Sequence, residues 1–125
     1  MGPTVLVVDD SLMVRQQVAR TLAQAGFTVI EAKDGVDGVE KIKTTPELAL
    51  VICDMNMPRM SGLELLEAVQ AEPSLSHLVI VMLTTEGQID RIQRAKALGA
   101  KAWMLKPFKP ELLIAAVRKL TAVAA

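Results

Sequence analysis

Residues 48–66 read LALVICDMNMPRMSGLELL. The first six, residues 48–53, are all apolar, as a strand covered on both faces should be. Asp54 follows at once. Residues 55–62 hold a proline and a glycine and read as a loop. Leu63, Leu66 and Val69 then recur at helical spacing, and Pro73 closes the segment. The unit is a buried strand, an acidic residue at its carboxyl end, a turn and a helix.

The same unit repeats on both sides. Upstream, residues 5–8 (VLVV) form a first strand, followed by Asp9, Asp10 and Ser11. Asp10 or Ser11 caps a helix in which Val14, Val18 and Leu22 recur at i+4, and Gly26 ends it. Residues 27–32 are a second strand and Asp34-Gly35 a turn. Val36, Val39 and Ile42 mark a short helix that stops before Pro46. Downstream, residues 78–83 are a fourth strand ending on Thr84-Thr85. Ile89, Ile92 and Ala95 mark a helix closed by Gly99. Residues 102–105 are a fifth strand before Lys106-Pro107. Leu113, Ala116, Val117 and Leu120 form the apolar stripe of a last helix from about Pro110. Strand–helix alternation five times over predicts an α/β fold, a doubly wound five-stranded parallel sheet with helices on both faces.

The bulk composition narrows the function classes. The 125 residues make one domain, with its core over about residues 4–121. Fourteen basic and fourteen acidic side chains give no net charge, so bulk attraction to nucleic acid or an anionic membrane is not expected. The one cysteine, Cys53, lies in an apolar run. It fits a reducing compartment and, with His77 as the sole histidine, makes no zinc site. A membrane span needs roughly 20 apolar residues, which no stretch provides, and the N-terminus is no signal peptide. These features predict a soluble, cytoplasmic protein; Met1 fits a natural start, with a domain excised from a longer regulator as the alternative.

The polar residues follow a rule. Asp9 and Asp10 follow strand one, Asp54 strand three, Thr84 strand four and Lys106 strand five. A parallel sheet puts all those ends on one edge, where open α/β sheets bind ligands. Three carboxylates close together repel unless a cation is bound, and hard oxygen ligands suit Mg²⁺. A lysine is no partner for that cation but suits a phosphate oxygen, and a threonine hydroxyl can donate to another. The group points to a metal and a phosphoryl group, with a carboxylate as nucleophile. Taken singly, Asp9-Asp10 reads as a turn or cap, Thr84-Thr85 as a cap of the fourth helix, and Lys106-Pro107 as a strand exit. Their placement at matched strand ends is what favours a site.

VLVVDDS at 5–11, VICDMNMPRMSGLELL at 51–66, VMLTTE at 81–86 and GAKAWMLKPF at 99–108 together resemble the receiver domain of two-component response regulators, in particular the stand-alone chemotaxis regulators. The resemblance covers essentially the whole chain. It implies the flavodoxin-like strand order 2-1-3-4-5. It implies that Asp54 is the phosphoryl acceptor, that Asp10 and Asp54 bind Mg²⁺ directly with the Asn56 carbonyl, and that Asp9 helps through water. Thr84 matches the switch hydroxyl and Lys106 the lysine that pairs with the phosphoryl group. The Lys106-Pro107 peptide is expected to be cis. Asn56 and Glu86 match positions flanking the path of the attacking water, and so tune the rate of dephosphorylation. Trp103 stands where the family's switch aromatic is commonly Tyr or Phe. A moving switch and a fixed, half-buried indole both remain open for it. Ile89, Ile92, Lys96 and Trp103 are candidates for the partner-facing surface, with plain core as the alternative for the two isoleucines.

The resemblance therefore implies a monomeric signalling switch rather than an enzyme with a free substrate. Its phosphodonor would be a histidine kinase and its target a protein, such as a flagellar-motor or other chemotaxis component. A receiver from another two-component or phosphorelay pathway, and an unphosphorylated receiver-like scaffold, stand as alternatives. A phosphatase of the haloacid-dehalogenase type wants a second aspartate two residues after the nucleophile, and Asn56 stands there instead.

Overall fold

The computed structural model describes residues 2–85 and 90–124. Its elements run β1 (Thr4–Val8), α1 (Leu12–Gln24), β2 (Thr28–Ala32), α2 (Gly35–Thr44), β3 (Leu48–Asp54), α3 (Gly62–Gln70), a 3₁₀ turn (Pro73–Leu75), β4 (Val79–Thr84), α4 (Ile92–Ala97), β5 (Ala102–Leu105) and α5 (Pro110–Ala124). The five strands form one sheet in the order β2-β1-β3-β4-β5, and every pairing is parallel. The expected doubly wound α/β fold is the observed one.

Successive strand residues point to opposite faces, so each apolar run feeds two cores. Leu6, Val8, Val51, Cys53, Ile80 and Met82 face one side with Ile42, Leu65, Leu66 and Ala95. Val5, Val7, Leu50, Ile52, Val81 and Leu83 face the other with Val18, Leu22, Leu113 and Val117. That division explains why the central strands are continuously apolar. The edge strands differ: in β5, Ala102 and Met104 join the second core, while Trp103 and Leu105 lie on an uncovered face, 42% and 39% exposed.

Local chemistry sets the helix starts. Ser11 caps α1 by accepting from Val14 N, and Ser61 caps α3 in a reciprocal capping box with Glu64. Asp34 is more than a turn residue: its side chain caps α2, accepting from Asp37 N at 2.8 Å. Gly26 ends the first helix region with φ 101°, a left-handed conformation that glycine adopts without strain.

Three sequence expectations are revised. Asp54 and Thr84 are the last residues of β3 and β4 rather than the first beyond them, so both are held by ladder pairing. That placement also removes the helix-cap alternative for Thr84. The described part of α4 begins at Ile92, and Arg91 before it makes no side-chain cap bond. Ile92 is 6% exposed: its side chain is core, not the partner-facing surface expected of it, because α4 turns that side toward the sheet.

Candidate functional site

The carboxyl ends of β1, β3, β4 and β5 bring the predicted polar residues to one place. Asp9, Asp10 and Asp54 each offer a carboxylate oxygen within 4.8 Å of the others. Asp9 and Asp54 are buried and Asp10 is exposed, so the cluster opens to solvent on the Asp10 side. Lys106 Nζ lies 3.0 Å from Asp54 Oδ1 and 3.0 Å from Asp9 Oδ2. The Lys106-Pro107 peptide is cis, as the resemblance implies.

Backbone bonds lock these strand ends together. Lys106 N donates to Thr84 O at 2.7 Å, and Met55 N to Leu83 O at 3.0 Å. Asp9 is held from three directions: its N–H donates to Ala32 O, its Oδ1 accepts from Ser11 N at 2.8 Å, and its carbonyl accepts from Arg15 Nη1 at 2.8 Å. Arg15 is fixed in turn by Glu31, Nε to Oε1 at 2.9 Å. No sequence motif marks Arg15. The available signal is the β1–β2 register, which sets Glu31 beside Val7.

Two buried atoms are left short of hydrogen bonds. Asp9 Oδ2 meets the charge of Lys106 without an aligned hydrogen bond, and Thr84 Oγ1, wholly buried, has no hydrogen-bond partner among the described residues. A buried polar atom without a partner costs stability, so such atoms mark places where a further group is received. The electrostatics agree. Burial, then the Asp9 charge, pushes the Asp54 carboxyl above the ordinary range, and Lys106 only partly offsets this. Burial pulls on Lys106 in the other direction, but the two carboxylates outweigh it and hold the ammonium above its usual value. Burial raises the adjacent Cys53 thiol strongly, with Asp54 and Asp9 adding to it, so Cys53 stays a neutral core residue. The donor set is all hard oxygen and carries excess negative charge, which fits a hard divalent cation such as Mg²⁺.

The remaining predicted residues fall around this cluster. Asn56 is exposed on the loop two residues beyond Asp54. Trp103 lies on the open face of β5, with Lys96 Nζ 4.1 Å from its ring centroid, a cation–π contact. Glu86 and Ile89 lie outside the described residues. Sequence reading missed Arg59: its guanidinium reaches Asp34 Oδ2 at 2.7 Å.

Fold, strand order and strand-end carboxylates together define a receiver. The family model for the response regulator receiver domain matches residues 5–118, and the chain belongs to that family. Among its relatives, the chemotaxis protein CheY1 of Helicobacter pylori (strain J99) is 38% identical over 86% of this chain and 88% of its own length. A probable chemotaxis protein CheY of Rhizobium etli is 40% identical over 90% of this chain and 88% of its own. The chemotaxis protein CheY4 of Vibrio cholerae superposes with a TM-score of 0.88 at 38% identity, covering 96% of this chain and 99% of that one. Among the described residues, no helix is long and apolar enough to cross a membrane.

Proposed function

We propose that the chain is a phosphorylation-activated response regulator of chemotaxis signalling, one receiver domain over residues 1–125, which accepts a phosphoryl group on Asp54. The observation that carries this reading is the Lys106 ammonium held 3.0 Å from the Asp54 carboxylate, with a buried Thr84 hydroxyl, unpartnered among the described residues, at the end of the adjoining strand. The ammonium would meet one phosphoryl oxygen and the hydroxyl another.

Asp10, Asp54 and the Asn56 carbonyl would hold Mg²⁺, with Asp9 assisting. When bound, the ion supplies positive charge against the phosphoryl oxygens. The protein's own part is position and charge. An Asp54 carboxylate oxygen attacks the phosphorus of a kinase phosphohistidine. The new O–P bond forms as the P–N bond breaks, and the electron pair leaves on the imidazole. Lys106 balances the charge arriving on the phosphoryl oxygens. Water later cleaves the acyl phosphate and restores Asp54, and Asn56 and Glu86 would set the rate.

The output is a population shift. A phosphoryl group on Asp54 draws in Lys106 and the Thr84 hydroxyl, and the face formed by α4, β5 and α5 follows. Trp103 and Lys96 lie on the exposed face of that region and are the residues a protein target would read. The names of the relatives support a chemotaxis component as that target. A pull-down with and without beryllofluoride should enrich such a partner only with the mimic. Enrichment of another pathway's proteins would move the receiver to a different two-component system.

A further inference from the structure

A second polar cluster lies on the loop that follows Asp54. Arg59 has φ 66°, in the left-handed region that disfavours any side chain with a Cβ, and Met60 N donates to Pro58 O at 2.7 Å. The chain is thus bent into a tight three-residue turn centred on Arg59. Glycine or asparagine adopts this backbone at lower cost. The arginine side chain makes a contact that neither could. Its Nη2 lies 2.7 Å and its Nε 3.0 Å from Asp34 Oδ2, across 25 residues of sequence. Asp34 is only 6% exposed, and its other oxygen is engaged in capping α2.

A second contact joins the same two segments. A Cβ added at Gly35 would fall 2.5 Å from Met60 O, so the start of α2 is already against the loop backbone. The base of the loop is closed by Gly62 N donating to Met55 O at 3.0 Å. Between these points, among the described residues, the backbones of Asn56, Met57 and Arg59 make no hydrogen bond. The outer loop is held by buried Met57, the Gly35 seam and the Arg59–Asp34 pair.

We propose that the Arg59–Asp34 pair is a positioning clamp for the metal site, fixing the loop that carries the Asn56 carbonyl and so raising affinity for a divalent cation. This rests on the magnesium reading above. Groups that orient a ligand from behind typically cost 10- to 100-fold in metal affinity when removed. A backbone ligand held through three intervening residues belongs at the low end.

The test is calorimetric titration of the full chain with MgCl₂, together with thermal melts in EDTA. Arg59→Gly removes the clamp and the backbone strain together. It should melt no lower than wild type yet bind Mg²⁺ about tenfold more weakly. Asp34→Asn keeps an N-cap but loses the charge, so it should shift affinity in the same direction. The double variant should bind no more weakly than Arg59→Gly alone. Unchanged affinity in both single variants, with wild type binding, would overturn the clamp and leave the magnesium reading standing. Failure of wild type itself to bind would overturn both.

Discussion

Lys106 is shared between two carboxylates, its Nζ 3.0 Å from each, and is itself mostly covered. Replacing it with alanine leaves Asp9 and Asp54 facing each other in a buried site without a counter-charge. Lys106→Ala should lower the stability of the metal-free protein by about 1–3 kcal/mol, short of the full value for a buried pair because Asp10 leaves the cluster open to water. Urea unfolding in EDTA checks this, and millimolar Mg²⁺ should restore part of the loss. Asp54 carries the opposite signature. Its pKa is raised in the folded protein, chiefly by burial, so the folded state holds its proton where the unfolded chain has already lost it. Stability therefore falls as pH rises from 3.8 through the raised value, and the penalty is fully present only above it. Asp54→Asn should accordingly stabilise the metal-free protein at pH values above that range and flatten that slope, as melts across the pH series in EDTA would show. An acid placed directly after an apolar run marked Asp54 and Asp9 in the sequence only once the other strand ends carried matching polar residues. The Arg15 and Arg59 contacts were not legible in the same way, because each depends on a partner brought near by folding rather than by spacing.

Strand and helix ends aim the site. Ser61 and Gly62 begin α3 immediately beyond the Asp54 loop, and they act differently. Ser61 supplies a capping box, so Ser61→Ala should cost about 1 kcal/mol. Gly62 allows close approach: a Cβ there would lie 2.4 Å from Asp54 O and 3.0 Å from Met55 Cα. Those are backbone atoms at the reactive strand end and cannot rotate away. Gly62→Ala should therefore cost more than about 2 kcal/mol and weaken Mg²⁺ binding, whereas Ser61→Ala should leave binding near wild type. Paired denaturant curves and magnesium titrations separate the two. The strands were readable because runs such as VLVV and LALVIC must serve two cores. Element ends were less so. Thr84 is polar and reads as an exit from β4, yet its backbone pairs with Leu105. Ile92 reads as either face of α4 until the sheet is in place, and then it is core. Asp34 reads as a turn because nothing local distinguishes a turn aspartate from a helix cap.

The whole molecule places a strained, charged edge on a well-packed base. Both layers of the core are continuous beneath the carboxylates, so the sheet can hold like charges together at its carboxyl end. A ligand that relieves that repulsion binds the folded state alone and must stabilise it. Mg²⁺ should raise the melting temperature of wild type, and Asp10→Asn should blunt the shift. The strand order was legible only through the family resemblance, whereas the cluster was within reach of the residues themselves because four strand ends, each ordinary alone, converge only if the sheet is parallel. The Lys96 contact with Trp103 was not, since it joins α4 to the open face of an edge strand. In the proposed function, what makes the molecule a switch is acceptance of a phosphoryl group by one carboxylate. Incubation with acetyl phosphate and Mg²⁺, followed by intact-mass spectrometry, reads this out. Wild type should gain the mass of one phosphoryl group, and neither Asp54→Asn nor wild type in EDTA should gain it. Equal labelling of Asp54→Asn would contradict the assignment of Asp54 as the acceptor.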